Sequence, residues 1–155
     1  MLQSRRAFLT SSSAAFASIA FVRSRASAAE FSFKWGHDIA LNHPMHVRLV
    51  EMSHAVKRET NGRLEISIFG NNVLGNDPAM LTQVRSGAIQ AISMQGLNYS
   101  GVVPLAMLDG VGFAFKSSDE AMRAFEGDLG DYIRKDIATK GLYGFRSVFD
   151  VGFRQ

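Results

Sequence analysis

The sequence predicts an α/β fold with a mainly parallel sheet flanked by helices. Three observations carry this. Short segments with strand-like alternation recur, each is followed by a stretch with helical spacing, and Pro, Gly and Asn stand at the joints where helices start and stop. The resulting order, β-α-β-α-β, favours parallel pairing, because a helical connection returns the chain to the starting edge of the sheet.

Phe31-Ser32-Phe33-Lys34-Trp35 alternates apolar and polar residues and reads as the first strand. Asn42-His43-Pro44 opens a helix, with the proline in the first turn, where its missing N–H costs nothing. Met45, Leu49, Met52 and Val56 form its apolar face, and Asn61-Gly62 ends it in the left-handed conformation. The run from Arg63 to Phe69 is a second alternating strand, turned by Gly70-Asn71-Asn72. Asp77-Pro78 is expected to cap and start the next helix, with Met80, Leu81 and Val84 inward and Gly87 as its stop. The stretch from Ala88 to Met94 reads as a nearly continuous apolar strand, the pattern of a parallel strand covered on both faces. Residues 96–116 are rich in Gly and apolar groups and carry no clear period. Ser117 or Ser118 caps a helix running to Phe125, Asp128 to Thr139 reads as another, and Leu142 to Phe149 alternates as a last strand.

The chain has 155 residues, of which 46% are hydrophobic and 20% charged, within the range of globular proteins. The absence of cysteine excludes a disulfide framework, a thiolate zinc site, an Fe–S cluster and a cysteine nucleophile. The net charge of +3 belongs to the first 28 residues. There Ser4-Arg5-Arg6-Ala7-Phe8-Leu9-Thr10 resembles the twin-arginine export motif, Ala14 to Val22 is apolar, and Ala26-Ser27-Ala28 offers a cleavage site before Ala29. An amphipathic helix or a basic arm is the alternative for this segment. Four of the 17 basic residues and none of the 14 acidic ones lie in it, so residues 29–155 carry a net charge of −1. No run of basic residues interleaved with aromatics remains to suggest a nucleic-acid partner, and no later stretch is long and apolar enough to span a membrane.

The residues that could do chemistry form no catalytic set. There is no G-x-S-x-G elbow, and the glycines at 70–75 and 96–101 lack the spacing of a phosphate-binding loop. His43 lies outside the helix that carries His46, and His46 and His54 are about 12 Å apart along it, too far to share a metal ion. Asp119-Glu120 and Glu126/Asp128 stand at predicted helix starts, where they complement the helix dipole.

The ordered motifs resemble the solute-binding subunit of tripartite ATP-independent periplasmic (TRAP) transporters, of the dicarboxylate-binding type. They are Trp35-Gly36-His37 with His43-Pro44-Met45-His46, then Thr60-Asn61-Gly62-Arg63-Leu64-Glu65-Ile66, then the long run Leu74 to Gln90, and finally Gly152-Phe153-Arg154-Gln155. The long run is similar to the family's L-G-x-x-x-x-M-L-x-Q-[VL]-[RK]-x-G. The resemblance implies two α/β lobes closing on a small organic acid, of which residues 29–155 would form the N-terminal lobe and the first crossing segment. The second lobe, with the family's carboxylate-gripping arginine, would be largely absent. The stop at Gln155, directly after a predicted strand, agrees with a truncated chain.

The resemblance further implies the site residues. Arg154 matches the arginine of the family's G-x-R-Q motif, whose guanidinium can give a ligand carboxylate two parallel hydrogen bonds. Gln95 matches a cleft-lining position, and His37 and Asp38 join it at the strand ends, where open α/β sheets bind ligands. Trp35 reads as core. The expected role is therefore that of a periplasmic carboxylate-binding component, exported by a twin-arginine signal. Its partners would be a small organic acid and membrane permease subunits, with no cofactor, no metal and no catalysis. A truncated product without ligand binding, and a periplasmic metal-dependent hydrolase using the histidines, are the rival readings.

Overall fold

A computed structural model describes residues 29–150. The expected leader and Arg154 lie outside the described residues. Three strands, β1 (Phe31–His37), β2 (Leu64–Phe69) and β3 (Ala91–Ser93), form a parallel sheet in the order β2-β1-β3. Helix α1 (Pro44–Glu59) connects β1 to β2, and α2 (Asp77–Ser86) connects β2 to β3. A short helix α3 (Gly96–Tyr99), a 3₁₀ segment (Pro104–Gly110), α4 (Ser118–Glu126) and α5 (Asp128–Thr139) follow.

The register explains which helix covers which face. Phe31, Phe33 and Trp35 lie opposite Leu64, Ile66 and Ile68, and Trp35 also lies opposite Ala91. Side chains alternate across a strand, so these apolar groups share one face. Helix α1 packs there through Met45 and Leu49, both buried, which form a cluster with Trp35, Ile66, Ile68 and Ala91. On the opposite face Gly36 lets Met80 of α2 approach so closely that a Cβ would stand 2.7 Å from its sulfur. A second cluster, Val103, Ala106 and Ile133 with Tyr99, Phe125 and Ile137 around them, joins α3, the 3₁₀ segment, α4 and α5. Stacking of Phe145 on Trp35, with centroids 5.6 Å apart, ties the segment after α5 to the sheet core.

The helix starts follow local chemistry. His43 caps α1, its Nδ1 accepting from the Met45 N–H at 3.2 Å. At α4, Ser117 accepts from the Glu120 N–H while the Glu120 carboxylate accepts from the Lys116 N–H, a near capping box. Three expectations need correction. Asn76, rather than Asp77, caps α2, its side chain accepting from the Ala79 N–H at 3.1 Å and leaving Asp77 as the first helical residue. The third strand is the short Ala91–Ser93, because Gly87 in the left-handed conformation and the bonds of Ala88 and Ile89 to the Gln83 carbonyl occupy the preceding residues. Leu142–Phe149 forms no strand: the sheet offers it no ladder partner, and it is held instead by the Phe145 ring and by Arg146, whose Nε donates to the Glu126 carbonyl.

Candidate ligand crevice at the carboxyl edge of the sheet

Because all three strands run in the same direction, the loops after them emerge at one edge. The residues there are Asp38 after β1, the Gly70–Asn76 turn after β2, and Gln95 before α3. The first two loops are tied together. The Asn71 N–H donates to the Ile39 carbonyl at 2.9 Å, and Asn72, at φ 58°, donates from its N–H to the His37 carbonyl at 3.3 Å. Asparagine tolerates this left-handed conformation better than most residues do.

His37 ends β1 and is fully buried. Its Nε2 lies 2.9 Å from the Nδ1 of His46 on α1, a hydrogen bond that requires one ring to donate and the other to accept. Gly70 makes room for the ring, since a Cβ at that position would stand 2.7 Å from its Cε1. Burial and the neighbouring His46 hold the His37 pKa below its ordinary value, against an opposing pull from Asp38. The imidazole therefore sits neutral beneath the edge. Asp38 itself is half-buried and has no hydrogen-bond or ion-pair partner among the described residues. Gln95 is half-buried too, and its side chain makes no capping bond to α3.

The structure adds two residues that the sequence analysis did not single out as site groups. Asp77, 8% exposed, accepts from the Asn98 side-chain amide through one carboxylate oxygen, while the other is buried without a partner. Burial and the Asp38 charge push its pKa up, with Asn98 opposing. The strand-end rule points to both, since α2 and α3 begin at the same edge as Asp38. His37, Asp38, Asp77, Asn98 and Gln95 thus gather at one edge from three consecutive loops. Arg154, the remaining expected site residue, lies outside the described residues. A separate open groove of about 280 Å³ lies between α1 and β2, lined by His46, His54, Lys57 and Glu65 among others. Among the described residues no three His, Cys, Asp or Glu side chains are placed to hold a metal ion.

The parallel sheet thus collects these polar groups at its carboxyl edge, the edge at which open α/β sheets bind ligands. The family profile of the bacterial extracellular solute-binding protein family 7 (DctP) matches residues 35–155, all of this edge included. The chain belongs to that family. Among its relatives, the 2,3-diketo-L-gulonate-binding periplasmic protein YiaO of Escherichia coli is 28% identical over 77% of this chain and 36% of its own length. A TRAP periplasmic solute-binding protein from Chromohalobacter salexigens, solved with bound D-glucuronate, is 28% identical with a TM-score of 0.65, over 70% of this chain and 36% of that one. Another from Sulfurospirillum deleyianum, solved with succinate, is 23% identical with a TM-score of 0.66 over 73% and 36%, and supports the fold. The family 7 chain described here therefore spans about a third of the length of these relatives. None of its described helices is long and apolar enough to cross a membrane.

Proposed function

We propose that this chain is the solute-capturing part of a TRAP-type organic-acid transport system. It holds a small carboxylate at the carboxyl edge of its sheet and passes it to membrane permease subunits, doing no covalent chemistry. The observation that carries this reading is the match of the solute-binding family to residues 35–155. The D-glucuronate bound to the Chromohalobacter salexigens protein and the 2,3-diketo-L-gulonate in the name of YiaO support an organic acid as the ligand class. In this reading residues 29–155 are one lobe, and a facing wall comes from further polypeptide of the kind the relatives possess. Arg154 grips the carboxylate with its planar guanidinium. Gln95 and Asp38 reach the ligand directly, and His37 acts from beneath by fixing the loop ends. Residues 1–28 carry the chain to the periplasm through the twin-arginine route, with Arg5 and Arg6 as the receptor-read pair.

Amide NMR on the 155-residue chain tests this. Added D-glucuronate should shift the resonances of residues 37–38 and 94–98, whereas uncharged D-glucose should leave them in place. Arg154→Ala should weaken the response strongly, and Arg154→Lys should restore it only in part, because an ammonium cannot make the two-pronged contact. A spectrum unmoved by glucuronate, succinate and 2,3-diketo-L-gulonate alike would overturn the proposal.

A further inference from the structure

The carboxyl edge has a charge asymmetry that bears on what kind of acid it can take. Residues 35–47, 70–84 and 91–115 include the ends of all three strands and the loops that follow them, and they contain no Lys or Arg. They do contain Asp38, Asp77 and Asp109. Asp109 is already engaged, accepting from the Gly96 N–H at 2.6 Å. Asp38 has no partner among the described residues, and Asp77 keeps one oxygen unpartnered although the residue is more than nine-tenths buried. Asn98 donates its side-chain amide to Asp77, and Gln95 and the neutral His37 lie at the same edge. An unpaired buried polar atom is costly unless something satisfies it, and here the available complement is a hydrogen-bond donor.

We infer that this edge selects a hydroxylated monocarboxylate over a dicarboxylate, with Asp38, Asp77 and the amides of Gln95 and Asn98 receiving the ligand's hydroxyl groups. The inference rests on the reading that the chain captures a carboxylate, and it names the class of acid. Hydroxyl groups donate to carboxylates and exchange bonds with amides, so a polyol tail matches this set group for group. A second carboxylate offers only acceptors and a negative charge, and it would stand against Asp38 and Asp77 with no cation from this edge to offset the repulsion. The ligand's single carboxylate is then left to groups beyond this edge. Asp77 is positioned for this by two local features: Asn76 takes the capping role, freeing the Asp77 carboxylate from the helix N–H groups, and Asn98 fixes its orientation.

A panel of four six-carbon acids separates the two variables. Hexanoate has neither hydroxyls nor a second carboxylate, adipate has the second carboxylate, D-gluconate has the hydroxyls, and D-glucarate has both. Titrated into the 155-residue chain by NMR, gluconate should bind tightest, with glucarate and adipate each about tenfold weaker or more. Asp77→Asn and, separately, Asp38→Asn should narrow the gap between gluconate and glucarate. Each variant's amide spectrum shows whether it has kept the fold, and Asp38→Asn, at a half-buried and unpartnered position, keeps the test open if Asp77→Asn does not. Adipate or glucarate binding as tightly as gluconate overturns the selectivity while leaving carboxylate capture intact. A gap unchanged in folded variants removes the two aspartates from the selectivity. No response to any of the four acids overturns carboxylate capture itself.

Discussion

At the scale of single residues, contact with backbone decides how much a small change costs. A Cβ on Gly96 would lie 2.0 Å from the Ala106 carbonyl oxygen, whereas one on Gly36 would meet the sulfur of Met80 at 2.7 Å. The backbone of the 3₁₀ segment cannot step aside without unpacking the second cluster, but a thioether can change rotamer. Gly96→Ala should therefore cost about 3 kcal/mol in urea unfolding and Gly36→Ala about 1 kcal/mol, and equal losses would contradict the packing described. The buried imidazole sets a pH dependence. His37 has a folded-state pKa below its ordinary 6.5, so the unfolded chain binds a proton first as pH falls. Its contribution is intact above 6.5 and is lost as pH drops through the folded value. Asp77 works in the opposite sense: its folded pKa is raised from 3.8, so it favours the folded chain only at lower pH. Around His37 the other titratable groups are Asp38, just after β1, and His43 and His46 at the start of α1. Urea midpoints should fall between pH 7.5 and pH 5.5 and fall less in His37→Gln. A fall just as large in His37→Gln would show that His37 does not cause it.

At the scale of elements, the cap of α2 offers a direct measurement. Asn76→Ala removes the bond to the Ala79 N–H and should cost about 1 kcal/mol. Asp77→Ala removes no capping bond and takes away a buried carboxylate with one orphaned oxygen, so it should cost less at neutral pH. The reverse order would restore the cap to Asp77. Both residues are good N-cap types and both precede the same helix, so the sequence alone could not choose between them. Elsewhere the legible parts were those with a strong local cause. Pro44 and Gly87 bound helices because their backbones allow little else, and the alternation of β1 and β2 matches a sheet with one face packed on α1. Residues 142–149 alternate just as well, yet no ladder forms: Phe145 stacks on Trp35 while its own ring stays largely exposed, so the alternation here marks a contact with the core edge rather than a strand. The site was legible only as an edge. The family resemblance named Gln95 and the strand-end positions named His37 and Asp38 as candidates, but the pairing of His37 with His46 and of Asp77 with Asn98 depends on helices closing over the sheet at separations no local pattern encodes.

At the scale of the whole molecule, the sheet leaves surface that invites association. Both outer strands, β2 and β3, have an edge unpaired among the described residues, and unpaired edges are templates for another chain. On the α1 face the helix covers Trp35 but leaves Phe31 and Phe33 at 49% and 38% exposed, next to the register partners Leu64 and Ile66. Tyr143 and Phe145, in edge-to-face contact with each other, are also exposed while Phe145 stacks on Trp35. Aromatic groups gathered near an unpaired edge combine the two features that drive self-association, apolar area and free backbone hydrogen bonds. Residues 29–155 carry a net charge of only −1, too small to keep copies apart by repulsion. Sedimentation equilibrium of residues 29–155 should therefore give a weight-average mass that rises with concentration, on the order of micromolar and above. Phe33→Ser should lower that mass. The position is partly open, so the ring it removes stabilises the fold less than a buried one would, and the loss in urea unfolding should stay near 1 kcal/mol. A monomer at every concentration would mean that α1 and the Tyr143–Phe145 segment already shield this face in solution. A mass that rises equally in Phe33→Ser would move the contact away from the face and onto the strand edges, where a proline in β2 should then abolish it.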